Sequence, residues 1–452
     1  MDSKYSIVSV ELMHMTKGAR RVLKDTVGVF RDAAAEILEA ACDHWDQIRN
    51  LGSMEAMAYV EHLVHSTKSH PDAEYQFDEH FFKFPSYMRR AAINSVVGYI
   101  HSHETRCDQY YSKRDSIVSR GKHYKVMEPA FCFHPNLCPV LYDKSSFTME
   151  GMSVRIKVRV RNTWDWMEFR VSHQDMRCLL KAVFAGAKIC QPQLVYKYHK
   201  YYLSFPVKHR YAKFPDIPLD QRAVLSVDRG LNHGAVCSVV SASGTVHGRY
   251  FDPFKEDMDR ITHIICLIRK KASESGTGQS LASLYTKLRG LKENYVRQLS
   301  RWIVDIAIKH RVYGIVLEQL GRIKGRGGMK ARLHHWASSK IRDYIRGMGF
   351  RAGIRTFLVN PKGTSMYAYD GSGKVVRDSD NFSLCTFTTG KRYNCDLSAS
   401  YNIASRYFLR EYKKSITSDV WSESAAKVPG LSKGTTWTLS TLRRFREVLS
   451  TS

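Results

Sequence analysis

The chain has 452 residues, with 70 lysines and arginines against 43 aspartates and glutamates, a formal net charge of +27. Its length predicts roughly two to four domains. The charge favours a polyanionic partner, because an uncompensated charge of this size destabilises a compact state by self-repulsion. A content of 43% hydrophobic and 12% aromatic residues excludes a disordered basic tail, while a ribosomal or membrane-surface protein stays open.

Cysteine spacing and hydropathy indicate the compartment. Ten cysteines are scattered without paired spacing, which is typical of free thiols in a reducing compartment. No apolar stretch approaches the ~20 residues that a membrane span needs, and residues 1–20 lack the apolar centre of a signal peptide. We expect a bacterial cytoplasmic protein that is nucleoid-associated when bound to DNA and has no membrane partner.

The N-terminal segments predict one strand followed by a helical lobe. Residues 5–12 alternate between apolar and polar side chains, as a half-buried strand does. Residues 17–51 and 86–113 carry apolar side chains at intervals of three, four and seven, which predicts amphipathic helices.

From about residue 121 to 210 the hydrophobic period changes to two, which predicts β-structure. Residues 153–161 form the clearest strand, with one apolar face and one cationic face. Such a face keeps an antiparallel sheet soluble, and it can also contact phosphates. Residues 196–205 add aromatic side chains, which stack bases or pack in a core. The candidate nucleic-acid contacts here are Arg155, Lys157, Arg159, Arg161, Lys197 and Lys200.

A second sheet is predicted from about residue 221. A strand at 222–228, a turn at 241–244 and a strand at 245–251 give three antiparallel strands. Residues 252–295 predict a helical hairpin interrupted by a polar loop at 273–280. An amphipathic helix at 295–309 then leads into the apolar run 312–317.

A glycine-rich basic segment follows that run. Between Gly321 and Arg351 there are nine lysines and arginines and one acid, Asp343. Such a segment can approach a phosphate backbone closely, although a plain surface loop has the same composition. The candidate contacts are Arg322, Lys324 and Arg326 in the loop and Lys340, Arg342 and Arg346 on the next helix.

Three acidic residues each lie at the end of a predicted element. Asp228 ends a strand, Glu318 ends the apolar run, and Asp396 begins a helix. Any one of them alone reads as a solvated carboxylate at a strand end. Brought together, three carboxylates repel one another, and divalent cations compensate that repulsion. A pair of Mg²⁺ ions at such a site hydrolyses phosphodiesters, so all three residues are candidate catalytic residues and metal ligands.

The sequence frames of these acids resemble the three motifs of one nuclease family. The frames are Asp-Arg-Gly-Leu-Asn-His-Gly from Asp228, Leu-Glu-Gln-Leu around Glu318, and Cys-Asp-Leu-Ser-Ala-Ser-Tyr-Asn from Cys395. They are similar to the RuvC-type nuclease domain of the TnpB proteins of insertion sequences and of the compact type V CRISPR effectors. The resemblance is specific from about residue 195 to 410 and weaker upstream.

The resemblance implies an α+β multidomain fold. Its parts would be an RNase H-like (RuvC) nuclease domain, an oligonucleotide-binding-like β-barrel wedge domain and a helical recognition lobe. The implied boundaries are 1–16 and 121–220 for the wedge, 17–120 for the helical lobe, 221–415 for the nuclease domain with its helical insert at 252–295, and 416–452 for a C-terminal extension.

The segment 361–395 departs from the family pattern. TnpB proteins usually carry two Cys-x-x-Cys pairs there, whereas this chain has only Cys385 and Cys395. Two thiols do not complete the four-ligand site of a structural zinc, so we expect no zinc in a degenerate zinc-ribbon-like insert. Residues 370–373 predict a hairpin turn. The side chains predicted to replace the metal by packing against the sheet that carries Glu318 are Tyr367, Tyr369, Phe382, Leu384 and Phe387.

The resemblance implies an RNA-guided DNA endonuclease whose partners are a guide RNA and a double-stranded DNA target. Base pairing with the guide would supply the sequence specificity. The protein would act as a monomer or homodimer. Two other functions stay open: an RNA-guided repressor that binds DNA without cutting it, and a transposase or resolvase that acts on DNA without RNA.

Overall fold

The computed structural model describes residues 4–68, 70–121, 123–133, 137–209, 214–229, 234–274, 281–319, 329–381 and 383–451. For residues 274 and 329–338 it describes the backbone alone. The chain divides into two compact units, Asp2–Arg210 and Tyr211–Ser452. Among the described helices, none is long and apolar enough to cross a membrane.

The N-terminal unit combines a sheet with a helical layer. Its strands are β1 (Lys4–Met13), β2 (Phe147–Glu150), β3 (Ser153–Val160), β4 (Thr163–Val171), β5 (Lys188–Ile189), β6 (Gln193–Lys197) and β7 (Lys200–His209). Its helices are α1 (Lys17–Asp43), α2 (Trp45–Ile48), α3 (Ser53–Val64), α4 (Phe77–His80), α5 (Ser86–Val118) and α6 (His173–Phe184).

The strands of this unit form one curled antiparallel sheet in the order β2-β3-β4-β1-β7-β5, with β6 also paired to β7. Strand β1 joins the two halves because it pairs with β7 over most of its length and with β4 at Leu12 and Met13. The predicted alternation along β3 is confirmed, since Val154, Ile156 and Val158 are fully buried.

Helices α1 and α5 pack against each other. Both helices contribute fully buried alanines to the core, among them Ala33, Ala40 and Ala92. Phe30 and Ile37 are also fully buried and stabilise the unit by about 1.5–3 kcal/mol each.

Three sequence predictions for this unit were wrong in detail. The first helix ends at Asp43 instead of continuing to residue 51, because His44 leaves the helical conformation. The 121–210 region is not wholly β, since it contains α6, which Ser172 caps by accepting a hydrogen bond from the Asp175 amide at 3.4 Å. Residues 196–205 are not one strand, because Tyr198 and His199 take positive φ values and turn the chain between β6 and β7.

The C-terminal unit is built around a second sheet. Its strands are β8 (Ala223–Asp228), β9 (Val236–Ser241), β10 (Val246–Phe251), β11 (Gly314–Glu318), β12 (Arg355–Val359), β13 (Val376–Arg377), β14 (Leu384–Thr386) and β15 (Arg392–Asn394). Its helices are α7 (Lys255–Glu274), α8 (Ala282–Lys309), α9 (Met329–Arg351), α10 (Cys395–Ser415), α11 (Ser418–Lys427) and α12 (Leu439–Thr451).

The main sheet has the order β10-β9-β8-β11-β12. Strands β10, β9 and β8 are antiparallel, as predicted, whereas β11 runs parallel to both β8 and β12. Strands β8 and β11 are buried on both faces, as central parallel strands covered by helices are. Strands β13, β14 and β15 form a separate small antiparallel sheet.

Two boundaries in this unit differ from the prediction. The helical insert does not end at residue 295, because α8 runs without a break from Ala282 to Lys309. Residues 416–452 belong to the core of the unit, where Trp421, Leu442 and Phe445 are buried with residues of α10. Of the loop predicted at 273–280, residues 273 and 274 end α7, and residues 275–280 lie outside the described residues.

Candidate active site

Asp228 and Glu318 lie side by side at the carboxyl ends of two neighbouring strands. Strands β8 and β11 are paired in parallel with Val227 opposite Leu317, and each acid is the next residue of its strand. Neighbouring strands lie about 4.8 Å apart, so the two side chains leave the sheet at the same edge. Both residues are only 7% exposed.

Asp396 reaches this edge from the first turn of α10. The helix begins where the sequence predicted, because the Asn394 side chain caps it by accepting a hydrogen bond from the Leu397 amide at 2.8 Å. The preceding strand β15 is held in the small sheet, where the Cys395 amide donates to the Ser383 carbonyl at 2.9 Å. Helix α10 packs on β8, β9, β11 and β12.

Small polar residues let α10 approach the sheet closely. The hydroxyl oxygens of Ser400 on α10 and Ser238 on β9 are 2.5 Å apart, and both residues are fully buried. The Asn402 side-chain amide donates to the carbonyls of Thr364 and Tyr367 at 3.0 and 2.8 Å. These bonds fix the position of Asp396 relative to the strand ends.

Glu318 is oriented by buried partners from three different segments. The Thr364 hydroxyl donates to its carboxylate at 2.5 Å, and the Arg229 guanidinium donates to its backbone carbonyl at 3.2 Å. Arg406 on α10 interacts electrostatically with the same carboxylate. Both arginines are almost fully buried, with exposures of 7% and 3%.

The three acids interact electrostatically. Burial raises the pKa of Asp228 well above its ordinary value, and the negative charges of Glu318 and Asp396 raise it further. Burial also raises the pKa of Glu318, although Thr364, Arg229 and Arg406 oppose that shift. Burial lowers the pKa of Arg229 to about 10. The cluster is therefore short of positive charge.

Carboxylate oxygens with raised pKa values fit a hard divalent cation such as Mg²⁺. Among the described residues, no group of three His, Cys, Asp or Glu is arranged to hold a metal ion. The chemistry of the donor set thus agrees with the predicted metal, and Mg²⁺ binding stays a prediction.

Neutralising Asp228 is expected to stabilise the metal-free protein at neutral pH. Because its folded-state pKa is raised, the wild type loses stability as the pH rises from the ordinary aspartate range through that pKa. Asp228→Asn removes this loss, so its melting temperature should exceed that of the wild type at pH 7 by at least ~2–4 °C, and the two should converge near pH 4. Added Mg²⁺ should raise the melting temperature of the wild type and leave that of Asp228→Asn unchanged.

The control for this measurement is Glu423→Gln, which changes an exposed carboxylate on α11. It should follow the wild type at every pH, with and without Mg²⁺. Equal Mg²⁺ stabilisation of the wild type and Asp228→Asn would remove Asp228 from the metal site.

The predicted nucleic-acid contacts of β3 lie on an accessible face. Arg155, Lys157 and Arg159 alternate with its buried residues. Their cross-strand neighbours on β4 are Glu168, Trp166 and Trp164, in that order, so the face is aromatic and carries one acid as well as cations. Placing Arg161 on the strand was wrong, because this residue lies in the turn after β3 with φ of 46°.

The other predicted contacts are less uniform. Lys197 is exposed at the end of β6, whereas Lys200 forms an ion pair with Glu11 at 2.7 Å. On α9, Lys340 pairs with Glu293 at 2.8 Å, Arg342 lies 3.8 Å from Asp343, and Arg346 is exposed. Arg322, Lys324 and Arg326 lie outside the described residues.

The segment 361–395 is held together by its own small core. The predicted turn is confirmed, since the Ala368 amide donates to the Gly373 carbonyl at 2.9 Å. The predicted packing against the sheet of Glu318 is found for Tyr369, which packs against the cluster that contains Val316. It was wrong for Phe387, which is buried with Cys385 and Cys395 in a separate cluster. This cluster borders α10, because the ring centroid of Tyr369 lies 5.2 Å from that of Tyr401 on the helix. Tyr367 and Leu384 are half-buried, and Phe382 lies outside the described residues.

The absence of structural zinc stays a prediction. Elemental analysis of the purified protein should find less than one zinc per chain. One tightly held zinc that is lost on Cys385→Ser would contradict it.

Sequence reasoning missed four residues that support the site: Arg229, Thr364, Asn402 and Arg406. Arg229 and Asn402 lie inside the quoted motifs, so their position beside the acids was a usable signal. Thr364 and Arg406 carry no such signal, because their contact with Glu318 exists only in the folded chain.

Comparisons with known proteins agree with this architecture. The model of the Aq_aa04 family matches residues 6–160, which is less than half of the chain. No curated protein matches the sequence. The cryo-EM structure of the Cas12f1-sgRNA-target DNA complex aligns with 85% of this chain and 81% of that chain, at 14% identity and a TM-score of 0.51.

Two further solved structures align more loosely. CasPhi-2 (Cas12j) bound to crRNA covers 88% of this chain and 97% of that chain, at 12% identity and a TM-score of 0.46. The alignment with C2c1 of Alicyclobacillus acidoterrestris in complex with single-guide RNA covers 86% of this chain and 70% of that chain, at 10% identity and a TM-score of 0.38. On the strength of the alignment with the Cas12f1 complex, the chain shares the fold of Cas12f1.

Proposed function

We propose that this chain is an RNA-guided DNA endonuclease. It binds a guide RNA, recognises a short flanking motif on double-stranded DNA and hydrolyses the guide-complementary DNA. The catalytic residues are Asp228, Glu318 and Asp396. The observation that carries the proposal is that Asp228 and Glu318 end paired parallel strands and that Asp228 interacts electrostatically with both Glu318 and Asp396. The fold shared with Cas12f1, which was solved with sgRNA and target DNA, supports the same partners.

The domain assignment is part of the proposal. The strand order β10-β9-β8-β11-β12 supports an RNase H-like nuclease domain over residues 221–415. The curled sheet of the N-terminal unit supports a wedge domain formed by residues 1–16 and 121–220, and α1, α3 and α5 support a helical lobe over 17–120.

In this proposal the site hydrolyses one phosphodiester bond at a time. A water oxygen forms a bond to phosphorus while the bond to the leaving ester oxygen breaks, which produces one phosphate end and one hydroxyl end. Asp228, Glu318 and Asp396 would hold the Mg²⁺ ions. When bound, such ions would supply activation of the water and charge stabilisation of the leaving oxygen.

The supporting residues of this chain keep the carboxylates in place before nucleic acid arrives. Thr364 donates a hydrogen bond to one carboxylate oxygen of Glu318 and restrains its side chain. Arg229 and Arg406 partly offset the repulsion among the acids. Their burial keeps these charges from being screened by solvent.

Binding of guide RNA is expected to depend steeply on salt. With a net charge of +27, the protein should contact many phosphates. If it makes about 6–10 such contacts, affinity should fall by ~10³–10⁵ between about 50 and 200 mM salt. Filter binding with the RNA that co-purifies with the protein measures this slope. A protein that purifies without RNA, and whose RNA affinity is insensitive to salt, would not fit the proposal.

A further inference from the structure

The N-terminal unit contains an open cavity of about 270 Å³ between α4 with its following turn and the β3–β4 hairpin. Drug-sized ligands occupy pockets of about 300–1,000 Å³, so this cavity suits one flat ring system. None of the acids of the candidate active site lines it.

One wall of the cavity is aromatic. Phe81, Phe84 and Trp164 line it, and the rings of Phe84 and Trp164 meet edge to face with centroids 5.4 Å apart. Phe82 also lines it but is 67% exposed, so its ring contributes little to the core. The Lys83 ammonium lies 5.1 Å from the centre of the Phe82 ring. A flat ligand entering the cavity would therefore find an aromatic face that is still open.

The cavity lining also supplies hydrogen-bonding groups. The Arg159 guanidinium donates to the Asn162 side-chain carbonyl at 3.1 Å, which leaves the Asn162 amide group and the remaining guanidinium N–H groups as donors. His80 Nδ1 lies 2.8 Å from the Glu36 carboxylate, which leaves His80 Nε2 as a third polar group. A base edge presents acceptors and donors that such groups can pair with.

The turn that places these groups is strained. Arg161 and Asn162 have φ values of 46° and 65°, a left-handed pair that two-residue hairpins prefer to build from Asn and Gly. Asparagine suits this conformation, whereas arginine does not. Backbone strain of this kind concentrates where a segment binds a ligand, and the exposed Arg161 carries a cation beside the cavity.

We propose that this cavity binds one unstacked nucleobase of a single-stranded nucleic acid. The base would stack on Phe82 and the aromatic wall, and its edge would pair with Arg159 and Asn162. Lys83 and Arg161 would contact the adjoining phosphates. The inference rests on the proposed function, since it names the part of the nucleic acid that this unit holds. An RNA strand and a DNA strand can both supply an unstacked base with adjoining phosphates.

The test uses the full-length protein and does not depend on cleavage. Fluorescence anisotropy measures its affinity for labelled oligouridine and oligothymidine of about 12 nucleotides, and for matching strands in which the bases are replaced by abasic spacers. The variants are Phe82→Ala and Asn162→Gly, since glycine retains the left-handed turn. Phe184→Ala is the matched control, because Phe184 lies in the same unit, outside the cavity, and is 87% exposed.

Each cavity variant should weaken binding of at least one base-bearing strand by about tenfold and leave binding of its abasic counterpart unchanged. The strand that shows the loss identifies the source as RNA or DNA. The control should bind all four strands as the wild type does. Unchanged affinity in both cavity variants, or equal losses on base-bearing and abasic strands, would overturn the nucleobase pocket. A wild type that binds RNA but never cuts complementary DNA would contradict the endonuclease proposal and leave the pocket standing.

Discussion

Replacing Asp228 with alanine should reduce DNA cleavage by at least about a thousandfold, because metal-assisted stabilisation of the developing charge contributes several kcal/mol. Glu318→Ala and Asp396→Ala should each have the same effect, since the three carboxylates act as one group. RNA-dependent DNA binding should persist, because none of the three acids adds positive charge to a binding surface. The measurement is the single-turnover rate of plasmid cleavage in Mg²⁺, with binding followed by gel shift.

The control is Glu423→Ala, which removes an exposed carboxylate of α11 in the same unit. It should cut at the rate of the wild type. Near-normal cleavage by any one of the three site variants would remove that residue from the site. Loss of both cleavage and DNA binding would instead indicate a folding defect.

Phe445→Ala should destabilise the C-terminal unit by about 3–5 kcal/mol, the usual cost of removing a buried phenylalanine. Phe445 is fully buried, and its ring lies 5.4 Å from Trp421 and 5.6 Å from Tyr412. The effect should reach the active site, because the Leu439 amide of α12 donates to the Asn402 side chain on α10 at 3.3 Å. Urea denaturation followed by tryptophan fluorescence measures the loss.

Arg444→Ala is the matched control for this prediction, because Arg444 is the exposed neighbour of Phe445 on the same helix. It should change the stability by no more than ~0.5 kcal/mol. A Phe445→Ala variant as stable as the control would mean that residues 416–452 are not part of the core.

The positions of the three acids were predictable because each lies where a local signal marks the end or the start of an element. Asp228 and Glu318 follow apolar runs, and Asp396 follows the Asn394 cap. Such signals depend on a few adjacent residues. The contact of Thr364 with Glu318 joins positions 46 residues apart, and no pattern within either segment encodes it.

The missed elements show a different limit. Helix α6 has only two buried residues, Met176 and Leu179, so its hydrophobic period is too weak to stand out within a β-rich region. The Ser172 cap with Asp175 was the signal that could have found it. Helix α12 has a strong apolar face, but only the fold shows that this face lies with α10 in the core.

RNA-dependent cleavage tests the central claim most directly. The RNA that co-purifies with the protein would be sequenced, and its guide segment rewritten to match one of two plasmids that share the same flanking sequences. In Mg²⁺ the complex should cut only the matching plasmid, and the protein without RNA should cut neither. Cleavage of both plasmids, or equal cleavage without RNA, would contradict RNA guidance and favour a transposase or resolvase, whereas matched binding without any cleavage would favour a repressor.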